Sequence, residues 1–397
     1  MTDSTQMRWP SGPVPTAVGA ETLPTPDLLR SPDPHSVSSQ AVVAFTPARM
    51  TAAVLYGRED VRIERVAVPE VGPGEVRVRI AAALTCGTDI KVFRRGYHAR
   101  MIRPPAIFGH EFAGVIEAIG PGVEGWQVGQ RVVAANSAPC GECFYCRRSL
   151  AELCEDLLFL NGAYAEYITI PARIVEKNLL PLPAHVAFEE AALMEPLACV
   201  VRGMEEVPIE AGETVAVLGA GPIGLMFIRL CKLAGARVLA AGRRPERLAL
   251  AARMGADEIY NVGEIEDIAA TLKARTEGGR GADKVIEAVG TPEAWKTALL
   301  IARKAATVSL FGGCPADTAI TLDTHRVHYD ELTIKGTFHH TPQTVRAALS
   351  LIAEGHIPAR EFIQQRAPLA ELPCILASLL NGNSAVKVAI EPPFPSL

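Results

Sequence analysis

The sequence has no apolar run as long as the roughly 18 to 20 residues that a bilayer-spanning helix needs, and its N-terminus does not show the basic-then-apolar order of a secretory signal. It has no basic stripe either, and its net charge of −5 argues against nucleic acid as a partner. Repeats of the solenoid type are missing. We therefore expect a cytoplasmic protein that binds neither membranes nor nucleic acids.

Cysteine is scarce except in one short segment, which holds Cys140, Cys143, Cys146 and Cys154. Stable disulfides are rare in a reducing compartment, and the odd total of nine cysteines fits a fully paired framework poorly. The spacing C-x2-C-x2-C-x7-C lets four thiolates converge on one tetrahedral ion. We predict a structural zinc site in the loop 140–154; the alternatives are disulfides or inert thiols.

Length and composition indicate a globular protein of two domains. The chain has 397 residues, of which 49% are hydrophobic and 21% are charged, and this length exceeds what a single hydrophobic core normally supports. Residues 1–49 are rich in proline, serine and threonine and have no apolar periodicity. Such a stretch cannot bury enough surface to offset its chain entropy, so we predict a disordered N-terminal extension.

The remaining chain changes its pattern at about residue 196. Residues 50–195 contain short apolar runs broken by Gly and Pro, which is typical of a β-rich domain. Residues 196–335 alternate strand-like and helix-like segments, which predicts a parallel sheet built from βαβ units and hence an α/β fold. Residues 336–397 contain two amphipathic helices and a final strand-like segment.

The run "TVAVLGAGPIG" is a candidate dinucleotide-binding turn. It places Gly219, Gly221 and Gly224 in G-x-G-x-x-G order after an apolar strand and, with Pro222 and Ile223, at the opening of a helix. These glycines allow a tight turn, a close approach of backbone amides to a pyrophosphate, and close packing of helix on strand. The context favours a nucleotide site over a simple glycine turn.

The end of the next strand predicts which dinucleotide is bound. An acidic residue that would bond the adenosine ribose is replaced by Gly242, and Arg243 and Arg244 follow. Two guanidinium groups can bind phosphate oxygens, so we predict that NADP is preferred over NAD. The alternative is that both arginines are only the solvated start of the next helix.

A second group of possible metal ligands is spread along the chain. It consists of Cys86, His110 with the adjacent Glu111, and Glu195. One thiolate, one imidazole and one carboxylate can hold a catalytic zinc ion and leave a position open for an alcohol. Such an ion would make the substrate hydroxyl acidic, and the hydride would then pass to the nicotinamide.

The segment around His110 resembles the signature of zinc-dependent medium-chain alcohol dehydrogenases. The resemblance rests on Gly109, His110, Glu111, Gly114, Gly120 and Val123, followed by the four-cysteine loop and the glycine-rich turn in the order of that family. It implies a GroES-like catalytic domain, 50–195 completed by 336–397, around a Rossmann NAD(P)-binding domain, 196–335. It also implies a homodimer or homotetramer.

Glu195 makes the chain similar to the polyol branch of that family, with the sorbitol, butanediol and threonine dehydrogenases. The resemblance implies that Glu111 lies beside the catalytic zinc and is a possible fourth ligand. The expected reaction is reversible oxidation of a secondary alcohol, namely a polyol, sugar alcohol or cyclitol. Thr88 would then accept the hydroxyl proton, and Asp89 would bond the far nitrogen of His110. Alternatively, Thr88 and Asp89 only cap a short helix.

Two rival functions and one weaker candidate site remain. A zinc-independent quinone or enone reductase would use the same two-domain fold without either ligand set, and a non-catalytic zinc-stabilised binding protein would need only the four-cysteine loop. The adjacent His339 and His340 are expected to point in different directions on a strand, so we do not expect them to share a metal ion.

Overall fold

The computed structural model describes residues 48–98 and 100–393. The predicted disordered extension, 1–49, lies outside this part of the chain except for its last two residues, and Arg49 already belongs to the first strand. No helix within the described residues is both long and apolar enough to cross a bilayer.

The chain forms two successive groups of elements and a C-terminal return. The strands are β1 (Arg49–Gly57), β2 (Asp60–Ala67), β3 (Val76–Leu84), β4 (Ala106–Ile107), β5 (Glu111–Ile119), β6 (Arg131–Ala134), β7 (Ser137–Ala138), β8 (Leu158–Phe159), β9 (Tyr167–Ile170), β10 (Leu179–Pro181), β11 (Thr214–Leu218), β12 (Arg237–Gly242), β13 (Glu258–Asn261), β14 (Ala282–Glu287), β15 (Ala302–Leu310), β16 (Thr333–Gly336), β17 (Ile363–Pro368) and β18 (Lys387–Glu391).

The helices follow the same numbering in chain order. They are α1 (Gly87–Arg95), α2 (Ala172–Asn178), α3 (Phe188–Ala191), α4 (Met194–Glu206), α5 (Pro222–Leu233), α6 (Pro245–Met254), α7 (Ile268–Ala274), α8 (Pro292–Ile301), α9 (Thr324–Tyr329), α10 (Pro342–Ala353), α11 (Ala359–Phe362) and α12 (Leu372–Leu380). Short 3₁₀ helices lie at Cys146–Arg148, Ala151–Leu153, Glu277–Gly279 and Leu369–Glu371.

The first group of elements is organised around β3. Its residues alternate between the core and the surface, because a strand points successive side chains to opposite faces: Val76, Val78 and Ile80 are buried. Neighbouring strands in this sheet follow the order β10-β6-β5-β3-β18-β17, and β9 also pairs with β3. The strand β18, near the C-terminus, therefore lies directly beside β3, and residues at the ends of both strands belong to the candidate site described below.

The second group forms a parallel sheet with the strand order β13-β12-β11-β14-β15-β16. The central strand β11 is a continuous buried run from Val215 to Leu218, because helices cover both faces of such a sheet. The order reverses between β11 and β14, and α/β sheets of this kind bind dinucleotides at that point. The predicted Rossmann sheet is confirmed.

Helix α4 lies at the junction of the two groups. Its buried residues Leu197 and Val200 belong to one hydrophobic cluster with Leu84 of β3 and Val217 of β11. Helix α4 also carries Glu195 in its first turn, so the junction fixes the position of one predicted site residue. The domain boundaries deduced from the sequence stay a prediction.

Candidate active site

The four cysteines of the loop 140–154 converge on one point. Cys140 Sγ lies 3.5 Å from Cys154 Sγ and 3.9 Å from Cys146 Sγ, and Cys143 Sγ lies 3.9 Å from Cys154 Sγ. Sulfurs on a tetrahedral zinc ion with bonds of about 2.3 Å are about 3.8 Å apart, whereas a disulfide needs about 2.0 Å. The spacing fits a metal and not a disulfide.

Backbone amides prepare part of this loop for an ion. The N–H of Cys146 donates to Cys143 Sγ at 3.5 Å, and such bonds lower the pKa of Cys143 to about 6. Burial has the opposite effect on Cys146 and raises its pKa to about 12. A thiolate at Cys143 gives an arriving cation its first anionic ligand.

The loop is connected to helix α4 by an ion pair. Arg202 of α4 donates to Glu152 Oε1 at 2.9 Å, and both side chains are largely buried. A bound ion in this loop would therefore also help to fix the helix that carries Glu195.

A second cluster forms where β3 ends and α1 begins. Cys86 is the N-cap of α1, and the backbone N–H of Thr88 donates to its Sγ at 3.5 Å. Asp89 accepts from the backbone N–H of Cys86 at 2.8 Å. Thr88 and Asp89 therefore do belong to the capped first turn of a helix, and this turn holds the thiol in place.

Asp89 also faces His110, as the sequence suggested. Its Oδ1 lies 3.3 Å from His110 Nδ1, and its Oδ2 accepts from the hydroxyl of Tyr164 at 2.6 Å. Burial lowers the pKa of His110, but the neighbouring Asp89 and Cys86 outweigh it and raise that pKa well above its usual value. Asp89 Oδ1 faces Nδ1 at ion-pair distance without a well-aligned hydrogen bond, and Nε2 is the nitrogen on the other side of the ring.

Glu111 lies within the same cluster. One side-chain ligand atom each from Cys86, His110 and Glu111 all lie within 4.8 Å of one another. Both carboxylate oxygens of Glu111 are bonded by the buried ammonium of Lys387, at 2.5 Å for Oε1, and Lys387 Nζ also donates to the Thr85 carbonyl at 3.1 Å. The structure thus pairs Glu111 with a cation of its own chain.

Glu195 lies in a neighbouring group, with His339 and His340. Ligand atoms of these three residues also lie within 4.8 Å of one another, and Glu195 Oε1 is 4.0 Å from His340 Nε2. Burial raises the pKa of Glu195 to about 7, and the charge of His110 opposes this rise. Of the predicted trio, the structure brings Cys86 and His110 together and places Glu195 in the group of His339 and His340.

The expectation that His339 and His340 point in different directions is wrong. Their ring centroids are only 4.0 Å apart, because His339 has a φ of +60°. This left-handed residue breaks the alternation of an extended strand, so both side chains turn to the same side.

The glycine-rich turn has the geometry that its sequence predicts. Gly219 has a φ of +108°, and a Cβ at Gly224 would lie 1.7 Å from the Gly219 carbonyl oxygen. Helix α5 starts directly after this turn, with Pro222 at its first position and the partly buried Ile223 next to it. The amide groups at this helix end suit a pyrophosphate.

The two arginines after β12 have different environments. Arg243 is exposed, whereas Arg244 is the N-cap of α6 and its Nη1 donates to the Asn383 carbonyl at 2.6 Å. Gly242 ends β12. Arg243 is thus the guanidinium with more freedom to meet a phosphate at this strand end.

Sequence reasoning missed several residues at the site. These are Tyr164 and Lys387, which hold Asp89 and Glu111, and Asn136 and Ser137, which bond the histidine pair. Lys387 had a usable signal, since it is a lone charge next to the apolar run "VAI". The others become visible only when distant segments meet.

Comparisons with known proteins identify the family. Residues 72–183 match the model of the alcohol dehydrogenase GroES-like domain, and residues 222–354 match that of the zinc-binding dehydrogenase. Sorbitol dehydrogenase of Bacillus subtilis (strain 168) is 30% identical, with 87% of this chain and 98% of that protein covered. Erythritol/L-threitol dehydrogenase of Mycolicibacterium smegmatis is 34% identical at the same coverage.

Solved structures agree with these matches. A zinc-binding dehydrogenase of Sinorhizobium meliloti 1021 bound to NADP superposes with a TM-score of 0.80 at 29% identity, and 87% of this chain and 100% of that chain are covered. The predicted combination of a GroES-like domain and a Rossmann sheet is confirmed. The chain belongs to the zinc-dependent medium-chain alcohol dehydrogenases, as an NAD(P)-linked oxidoreductase that oxidises small-molecule secondary alcohols.

Proposed function

We propose that the protein oxidises a carbinol of a neutral polyol, sugar alcohol or cyclitol and that it uses NADP in preference to NAD. The observation that carries this proposal is the convergence of half-buried Cys86 with buried His110 and Glu111, together with the buried carboxylate of Glu195. Relatives named for sorbitol and for erythritol or L-threitol support a polyol.

The proposed ligands of the catalytic zinc are Cys86, His110 and Glu195, with Glu111 as the possible fourth. A bound zinc ion supplies Lewis-acid polarisation of the substrate hydroxyl, and a bound nicotinamide supplies the hydride acceptor. Cys86 and Glu195 offset the charge of the cation in a buried site. Lys387 neutralises Glu111 while that carboxylate is not coordinated.

The chain's own groups then position the reaction. Asp89 holds the ring of His110 through Nδ1, and Tyr164 and the Cys86 amide hold Asp89. Thr88, which is half-buried next to Cys86, accepts the proton that the substrate hydroxyl releases. The hydride leaves from the carbon that bears this hydroxyl.

The second zinc ion of the proposal lies in the loop 140–154. The sulfur distances of 3.5 to 3.9 Å support four thiolate ligands there. Total zinc should then be two per chain, and replacement of one loop cysteine should lower it to one.

The preference for NADP is proposed from Arg243 and Arg244. No carboxylate stands at the end of β12 to repel a 2′-phosphate, and exposed Arg243 can reach one. The structural relative with bound NADP supports the same choice. An Arg243→Asp/Arg244→Leu variant should shift the ratio of kcat/KM for NADP and NAD about 100-fold toward NAD. An unchanged ratio would contradict the role of these arginines.

The organisation of the whole protein is part of the proposal. Residues 50–195 and 336–397 would form the catalytic domain and 196–335 the nucleotide domain, which is supported by the pairing of β18 with β3. A homodimer or homotetramer is supported by the exposed apolar side chains of Leu322 and Tyr329. The clustered free thiols support a reducing compartment such as the cytoplasm.

A panel of substrates tests the function. Zinc-loaded protein would be assayed for NADP reduction with polyols, diols, cyclitols and 3-hydroxy amino acids. We expect turnover that a zinc chelator abolishes and that added zinc restores. Activity that survives complete removal of zinc would contradict the proposal.

A further inference from the structure

The paired side chains of His339 and His340 have no role in the proposed chemistry. With Asn136, Ser137 and Glu195 they make a compact polar group, here termed the imidazole pair site. Its members come from β7 and the residue before it, from α4, and from the segment between β16 and α10. Three distant parts of the chain thus bring neutral hydrogen-bonding groups to the edge of the proposed metal site.

The backbone of this site is held in a costly conformation. His339 has a φ of +60°, which few residues other than glycine adopt, and such conformations concentrate where function requires them. The consequence is a pair of rings side by side, at 4.0 Å between centroids with a tilt of 31°. A strand with ordinary alternation would have turned one of the two rings away.

Each ring has one nitrogen committed to a protein partner. His339 Nε2 lies 2.6 Å from Ser137 Oγ, and His340 Nε2 lies 3.2 Å from Asn136 Oδ1. His339 is half-buried, and its Nδ1 is left for a further partner. The buried Nδ1 of His340 has no hydrogen-bond partner among the described residues, and a buried polar atom of this kind requires an explanation, such as a ligand.

The chemistry of the group selects its ligand. An imidazole, an amide and a hydroxyl both donate and accept, which matches an alcohol hydroxyl, itself a donor and an acceptor. None of the five members is an arginine or lysine that would favour a phosphate. Glu195 belongs to this group and, by the proposed function, also to the metal site. The two sites therefore share one residue and adjoin.

We propose that the imidazole pair site binds a second hydroxyl group of the substrate, on a carbon near the reacting carbinol, and that it makes the enzyme select neutral diols and polyols. This hydroxyl contacts Nδ1 of His339 and the otherwise unpartnered Nδ1 of His340. This inference rests on the proposed alcohol oxidation, and it names the second group of the substrate that the active site binds. A site built to bond a hydroxyl rejects an analogue without it, because its buried polar groups then lose their partner.

Matched variants of His339 test this subsite. His339→Met removes the polar atoms and His339→Gln keeps a donor and an acceptor on a side chain of similar length and backbone preference. The control is His328→Ala, which removes an exposed histidine on α9. Each zinc-loaded protein would be assayed with 2,3-butanediol and with 2-butanol, a pair that differs in one hydroxyl.

We expect His339→Met to lower kcat/KM for the diol about 10- to 100-fold, mainly through KM, and to change that for the mono-alcohol less than threefold. His339→Gln should recover part of the loss. An equal loss for both alcohols, or no loss for the diol, would overturn the proposal.

A binding measurement separates this inference from the proposed function. Calorimetric titration of the zinc- and NADPH-loaded protein with each alcohol measures binding without turnover, because the reduced cofactor cannot accept a hydride. Diol binding that is tighter than mono-alcohol binding and that His339→Met abolishes would support the subsite even if neither alcohol is oxidised, a result that would contradict only the proposed reaction. Equal binding of both alcohols by the unmodified protein would overturn the subsite.

Discussion

The two clusters of possible metal ligands are built in opposite ways. The four-cysteine loop takes its ligands from 140–154, a single stretch of chain, and three of its four cysteines are only partly buried. The proposed catalytic site takes Cys86, His110 and Glu195 from three distant parts of the chain and buries the last two. One site therefore depends on local spacing, and the other depends on the packing of the whole protein.

Their supporting contacts differ in the same way. Within the loop, the sulfurs accept mostly from nearby backbone N–H groups, such as that of Cys146 on Cys143. In the buried cluster, Lys387 reaches Glu111 across 276 residues of sequence. A change in the local site should leave catalysis largely intact, whereas a change in the distributed site should affect the chemistry, and also the stability where it breaks the buried ion pair.

The largest expected effect is on catalysis through the buried cluster. Cys86→Ser replaces a thiolate by a weak ligand and should lower kcat/KM on the order of 10³-fold or more, since metal polarisation is worth several kcal/mol. The unfolding temperature should change little. The control is Cys374→Ser, at an exposed cysteine. Full activity of Cys86→Ser with bound zinc would contradict the proposed ligand set.

Loss of one partner of the buried ion pair should have the next largest effect. Lys387→Met leaves the carboxylate of Glu111 buried without its cation, which typically costs about 3 to 5 kcal/mol of unfolding free energy. Chemical denaturation would measure it. The double variant Lys387→Met/Glu111→Gln should recover much of the stability, and a double variant as unstable as the single one would argue against the pair as the cause.

In the local site, the expected effect falls on stability alone. Cys154→Ser should release one zinc ion per chain and lower the unfolding free energy by about 3 kcal/mol, the value for a cross-link that closes a loop of about 15 residues. The kcat per folded molecule should stay within a few-fold. Elemental analysis and thermal unfolding would measure both, and zinc content that remains at its original level would contradict this assignment.

The smallest effect is a pH dependence of the metal-free protein. Burial raises the pKa of Glu195 from 4.5 to about 7, so the folded state disfavours the carboxylate. The protonated form of Glu195 therefore contributes to the free energy of unfolding. This contribution is complete below about pH 4.5 and is lost as the pH rises through about 7.

Glu195→Gln should remove this contribution, up to about 3 kcal/mol between pH 4.5 and 7. Denaturation of the zinc-free proteins across this range would measure it, with Glu246→Gln at an exposed position as the control. If the free energy of unfolding varied with pH in the same way in the unmodified protein and in Glu195→Gln, the buried Glu195 would not be the cause of the pH dependence.

Much of the fold follows from the sequence for local reasons. The alternation of strand and helix after residue 196 predicts the parallel sheet, and the glycines at 219, 221 and 224 predict its nucleotide turn, because both are periodic or contiguous signals. The cysteine spacing predicts the thiol cluster in the same way. His339 shows the limit, since no short-range pattern announces a left-handed residue there.

The sequence by itself determined the family, the two kinds of sheet and the residue types that can hold metal and nucleotide, since each depends on neighbours in the chain. Only the tertiary structure decided that Lys387 neutralises Glu111 and that Glu195 adjoins the paired imidazoles. Such contacts join segments hundreds of residues apart, and packing of the two sheets against helix α4 fixes their distances, which no local pattern encodes.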